Sequence, residues 1–147
     1  MKDLARIFFA MWYLFGWLSH VYLGLRRPQL YRRFGETALI PQFGGLWRSQ
    51  VMPRIRLLAL LLAAFELVTG LLIIGKGTGV KIGLLMSIGF NLFLVQLGLA
   101  AKTESKKSDF LQNRLASLIF IAGQLPLLWG HYDRSIPEII LKRLENR

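Results

Sequence analysis

The sequence predicts an all-α protein, a four-helix transmembrane bundle with an interfacial first loop and a C-terminal amphipathic helix. Three observations carry that expectation. Hydrophobic residues make up 54% of the chain and charged residues 18%, and the charges gather between long apolar runs. Four such runs, at 5–25, 55–74, 80–101 and 110–130, each match the ~20 residues that a helix needs to cross the hydrocarbon layer. A short Gly-rich turn joins the second run to the third, which makes that pair an antiparallel hairpin. Residues 1–147 then read as one integral membrane domain ending in a surface tail over 132–147.

The first span, Ala5 to Leu25, has 21 residues and covers ~31 Å as a helix. Trp12, Tyr13, Trp17 and Tyr22 divide between the membrane interfaces and neighbouring helices. The run is longer than a signal-peptide core, rich in aromatics and without a small-residue cleavage site, so it reads as a retained span. Arg26-Arg27-Pro28 stops it, because proline disfavours helical backbone at the residue before it. In the first loop, Gln29 to Gly35 suits a short interfacial helix with Leu30, Tyr31 and Phe34 dipping into lipid. Arg26, Arg27, Arg32 and Arg33 are placed to meet lipid headgroups. Ile40 to Trp47 reads as a turn with exposed aromatics, and Met52-Pro53 marks entry to the second span.

That second span, Ile55 to Ile74, carries Glu66 and Thr69. The following turn, Gly75 to Gly79, contains Lys76 but lacks the Gly-x-x-x-x-Gly-Lys-Ser/Thr spacing of a phosphate loop, so it reads as a hairpin turn. Ser87, Asn91 and Gln96 lie in the third span. The fourth, interrupted by Pro126, opens on a polar stripe of Gln112, Asn113, Arg114 and Ser117 that suits the headgroup layer, with Arg114 snorkelling. In the tail, Ile136, Ile139, Ile140 and Leu144 recur at helical spacing and predict an amphipathic surface helix.

Charge and cysteine content narrow the function classes. The net charge of +11 comes from basic residues that flank apolar spans, which points to anionic lipid and away from nucleic acid. The absence of cysteine rules out disulfides, thiolate metal sites and iron–sulfur clusters within the chain. Lys and Arg number 11 on the first-loop side and 8 on the side of the termini, a slight bias towards a cytoplasmic first loop.

Glu66 is the residue around which a site would form. A carboxylate at mid-bilayer costs at least ~2.5 kcal/mol on insertion scales, so it marks a polar site by default. Glu66 and Asn91 each lie 11 residues into their spans from opposite sides, ~16 Å deep, which would make them neighbours across the hairpin. Small residues share their faces: Ala59, Ala63 and Gly70 beside Glu66, and Gly83 and Ser87 beside Asn91. Two readings stand: Glu66 ties helices together through Asn91 or Thr69, or it binds a ligand or moves a proton. His20 lies at the depth of Gln96, and Ser87 with Gln124 forms another layer, so a polar ladder and ordinary interhelical packing are both open. His20 reads as a hydrogen-bonded buried histidine, with quinone or substrate contact as its other role. His20 and His131, the two histidines, fall near opposite membrane faces, ~25 Å apart by helix rise, which excludes a haem held between them. No metal-ligand constellation and no nucleophile–base set is present, so no catalytic residue is assigned.

The run Ala64-Phe65-Glu66-Leu67-Val68-Thr69-Gly70-Leu71-Leu72-Ile73-Ile74-Gly75, continued through Thr78 to Met86, resembles the DoxX-like family of small four-span membrane proteins. It has that family's acidic residue, small residues, apolar run, Gly turn and second apolar run ending near Met. Gly16, Ser19-His20 and Pro28 are similar, more weakly, to its first-helix ending. The chain departs from the pattern at His20, where the family commonly has a lysine, and at Gly79, where it often has an arginine. The resemblance implies redox surroundings, quinone as a cofactor and a bacterial cytoplasmic membrane. The expected function is a membrane subunit or binding protein, non-catalytic alone, holding a small apolar or quinone-like ligand or packing against a partner complex or another copy. A quinone-linked oxidoreductase component and a small transporter or proton path are the alternatives.

Overall fold

The computed structural model describes residues 2–146, and among them every regular element is helical. Arg147, the last residue of the expected tail, lies outside the described residues. Helix α1 (Lys2–Arg26) is followed in the first loop by a 3-10 turn (Pro28–Tyr31), α2 (Arg32–Glu36) and α3 (Pro41–Leu46). A wide turn at Trp47–Val51 and a tight one at Met52–Arg54 lead into α4 (Ile55–Ile74), then α5 (Thr78–Leu97). Then come α6 (Lys106–Asp109), a wide turn (Phe110–Arg114), α7 (Leu115–Gln124), a 3-10 turn (Leu125–Trp129) and α8 (Ile136–Glu145). Three helical stretches, Lys2–Arg26, Pro41–Ile74 and Thr78–Leu97, are long and apolar enough to cross a membrane.

Neighbours pack in the order α1, α4, α5, α7. A knot of rings joins α7 to α1, with Phe120 5.0–5.8 Å from Phe8, Phe9 and Trp12 between centroids. Small residues set the closest seam: a Cβ on Gly24 of α1 would stand 2.6 Å from the Ala59 Cβ of α4. Large apolar side chains such as Phe15, Leu61 and Leu85 point outwards from α1, α4 and α5, as lipid contact requires.

Several expectations change. Ile40 to Trp47 is mostly helix rather than turn, because Pro41 supplies a preset first helical position and Gly44 lets α3 lie against the Gly35 carbonyl. Trp47 is half-buried, donating from Nε1 to the Tyr31 carbonyl at 2.8 Å. The third span stops at Leu97 instead of residue 101, where Gly98 takes a left-handed φ of 86°. The fourth apolar run is divided, with α7 giving way to 3-10 backbone around Pro126, whose missing N–H interrupts the α-helical ladder.

Two arginines staple the ends of the bundle. Arg6 is 1% exposed and donates to the carbonyls of Ile73 (2.8 Å), Ile74 (3.2 Å), Gly75 and Arg134 (3.0 Å). Its guanidinium thereby satisfies the orphan carbonyls, and the negative dipole end, of α4. At the opposite end Arg114 does not snorkel: it is 4% exposed and binds the Val95 carbonyl (2.8 Å), the Thr37 carbonyl and Asp109 (3.3 Å). Asn113 and Ser117 of the expected headgroup stripe are buried as well, with Asn113 Oδ1 accepting from the N–H groups of Leu99 and Ala101. These contacts cap the ragged end of α5 and fasten it to the first loop. The expected amphipathic tail helix is present as α8, opened by a Ser135/Glu138 capping box.

Candidate functional site

Glu66 occupies the face of α4 turned to α1 and is 4% exposed. Its Oε1 lies 3.4 Å from His20 Nε2, and His20 Nδ1 lies 2.7 Å from the Tyr31 hydroxyl. Three titratable groups therefore stand in a row, Glu66–His20–Tyr31, leading from the α1–α4 seam into the first loop.

The pairing with Asn91 is not made. Asn91 Nδ2 instead donates to the Tyr13 hydroxyl (3.0 Å) and the Ser87 carbonyl (3.0 Å), and Ser87 Oγ donates to the same hydroxyl at 2.7 Å. Helical side chains lean towards the N-terminus of their own helix. α4 begins on the first-loop side, so Glu66 leans that way. His20, on antiparallel α1, leans deeper and meets it. α5 begins on the other side, so Asn91 leans away from Glu66.

Gly16 makes room for the carboxylate, since a Cβ there would stand 3.1 Å from Glu66 Oε2. Oε2 is fully buried with no hydrogen-bond partner. Tyr31, expected to dip into lipid, is 5% exposed because the His20 contact and the Trp47 bond draw it inwards. Burial, reinforced by the charge of Glu66, pushes its hydroxyl up to about 12, so it keeps its proton. When that hydroxyl donates to Nδ1, neutral His20 carries its own proton on Nε2, the nitrogen 3.4 Å from Glu66. In the other tautomer Nδ1–H donates to the tyrosine oxygen and Nε2 turns its lone pair to the Glu66 side.

Beside this row lies a groove of about 410 Å³ between the first loop, α4 and α5, lined by Tyr31, Trp47, Ile55, Leu62, Phe65, Phe93 and further apolar side chains. Tyr31 and Trp47 are its only lining residues with a polar side-chain atom. Size and lining match sites for small apolar molecules, which typically fill 300–1,000 Å³ and are oriented by a few polar groups.

The other expected site residues fall elsewhere. Thr69 is fully buried but donates within its own helix, to the Phe65 carbonyl at 2.8 Å. Gln124 Nε2 likewise donates to the Phe120 carbonyl (3.1 Å), leaving its Oε1 without a partner, and Gln96 Nε2 has none. Among the described residues no hydrogen bond joins Gln96 or Gln124 to the Glu66 row or the Tyr13 cluster, so the polar ladder resolves into separate groups. Arg26, Arg27, Arg32 and Arg33 are all exposed on the first-loop side, free to meet headgroups. Among the described residues no three His, Asp or Glu side chains are grouped to hold a metal ion.

Sequence reasoning missed the roles of Tyr31, Tyr13 and Arg6. Arg6 carried a signal, being a charge inside the first span rather than beyond its lip. Tyr31 carried none, because its partners are His20 on α1 and Trp47 in the wide turn after α3.

Compared with known proteins, the chain matches no family model, no curated protein and no solved structure.

Proposed function

We propose that the chain is a four-span integral membrane subunit or binding protein, DoxX-like in plan, that holds a small apolar, quinone-like molecule in the groove beside Tyr31. α7 with its 3-10 extension would supply the fourth crossing. One observation carries the reading: an apolar groove is walled by a buried tyrosine hydrogen-bonded to His20, whose other ring nitrogen lies 3.4 Å from a buried carboxylate. A ring with polar oxygens suits such a place, since the aromatic walls take the ring and a single polar corner orients it. The protein is non-catalytic alone in this reading, with a partner membrane complex or a second copy supplying any electron acceptor. The continuous Glu66–His20–Tyr31 row favours, as a second reading, a quinone-linked oxidoreductase component in which that row accepts a proton. A transporter or proton path would need links between the separate polar groups. The DoxX-like plan supports a bacterial cytoplasmic membrane as its location.

The test is gentle purification, mass spectrometry of extracted lipids and quinones, and titration with a short-chain quinone followed by tryptophan quenching. Saturable quenching that is lost in Trp47→Phe, and weakened when Leu62→Trp fills the groove, is the expected result. No co-purifying quinone together with unsaturable quenching would overturn the reading.

A further inference from the structure

At the end of the bundle remote from this groove, a second cavity of about 420 Å³ opens between the start of α1, the 131–134 segment and α8. Its lining is charged: Arg6, Arg134, Lys142 and Arg143 face Asp3 and Asp133 across it, an excess of two positive charges. Arg6, the most buried of them, has no carboxylate within ion-pair distance among the described residues. Its four hydrogen bonds all go to carbonyls, and its guanidinium carbon lies 4.9 Å from the centre of the Tyr132 ring. Partial charges at the end of α4 offset its positive charge without cancelling it. Asp3 and Asp133 make no ion pair with another described residue, so the cavity's cations are left available.

Placement decides the ligand. α8 exposes Ile140, Leu141 and Leu144, an apolar strip suited to the acyl boundary, while Lys142 and Arg143 of the same helix line the cavity. A helix lying in the interface in this way sets its basic residues at the level of lipid phosphates. Basic cavities at helix ends on a membrane surface take anionic headgroups. We propose that this cavity binds the phosphate of an anionic phospholipid, with Arg134, Lys142 and Arg143 contacting the phosphate oxygens and Arg6 supplying a fixed positive charge beneath them.

The experiment uses the full chain, purified and reconstituted in nanodiscs of phosphatidylcholine alone or mixed with phosphatidylglycerol. Lipid retained on the protein after detergent extraction is counted by native mass spectrometry. Wild type should retain phosphatidylglycerol in preference to phosphatidylcholine, and Lys142→Gln/Arg143→Gln should lower that preference about 25-fold, the equivalent of ~1 kcal/mol for each charge removed. Both side chains are exposed, so the fold should survive, and unchanged helical circular dichroism verifies this. Arg32→Gln/Arg33→Gln on the other face is the control and should leave this retained lipid in place. Equal retention of both lipids, or retention unaffected by Lys142→Gln/Arg143→Gln, would overturn the proposal. So would calorimetric binding of inorganic phosphate by protein that shows no lipid preference, which would assign the cavity to a soluble anion.

Discussion

The pairing of Glu66 with His20 rather than Asn91 makes a sharp energetic prediction, open to double-mutant cycles. The Glu66 and His20 side chains are 5% and 19% exposed and 3.4 Å apart, so their contact is largely shielded from solvent. The two atoms are within electrostatic reach but not in hydrogen-bond geometry, so the contact falls below the ~1.5–3 kcal/mol of a hydrogen bond to a charged group. The coupling between Glu66→Leu and His20→Leu should therefore be about 1 kcal/mol. Residues without shared contacts add within ~0.5 kcal/mol, which is the coupling expected between Glu66→Leu and Asn91→Leu. Glu66→Gln should cost less than ~1 kcal/mol, because a carboxamide of the same shape keeps a polar oxygen facing Nε2. Glu66→Leu should cost ~1–3 kcal/mol, because the largely shielded His20 Nε2 is left facing an apolar side chain. The assay is reversible unfolding in mixed micelles of rising dodecyl sulfate fraction, followed by helical circular dichroism. A Glu66–Asn91 coupling larger than the Glu66–His20 coupling would refute the geometry, as would a Glu66–His20 coupling indistinguishable from zero.

Three further outcomes are expected. Arg6→Gln should destabilise the protein by ~3–5 kcal/mol in the same unfolding assay, since a carboxamide cannot reach four carbonyls held at one guanidinium. Gly24→Ala should cost ~1–3 kcal/mol, because its new methyl group meets the Ala59 Cβ at 2.6 Å and neither backbone can withdraw without opening the α1–α4 seam. The Ser135 backbone and hydroxyl contacts, with Lys76 adding less, hold the Glu138 carboxyl below its ordinary 4.5. A depressed carboxyl stabilises the fold above its unfolded value and ceases to do so as pH falls through the folded one. Helical signal from α8 should accordingly decline on acidification below that range, and Glu138→Gln should flatten the response.

How much of this was legible in the chain varies from residue to residue. Helix α4 runs over the expected 55–74, because an unbroken apolar stretch between a proline and a Gly-rich turn leaves little choice. The tail helix was visible for a similar local reason, an apolar stripe at helical spacing behind a Ser-x-x-Glu cap. Helix α3 was not, since Gln42-Phe43-Gly44-Gly45 has little helical preference of its own and is held by α2 and Tyr31. Residue depth, counted at ~1.5 Å per position, made Glu66 and Asn91 partners, whereas Asn91 bonds Tyr13 and Glu66 faces His20.

Local order alone thus determined the all-helical class, three apolar helices long enough to cross a membrane, and the presence of one carboxylate deep in a span. These depend on hydropathy and on backbone hydrogen bonds within each segment, both of which are written in consecutive residues. Only the tertiary structure decided which groups Glu66, Tyr31, Arg6 and Arg114 would meet. Those meetings depend on how antiparallel helices aim their side chains and on loop carbonyls tens of residues away. Where a buried polar group finds its partner is a property of directions in space, and spacing along the chain does not encode it.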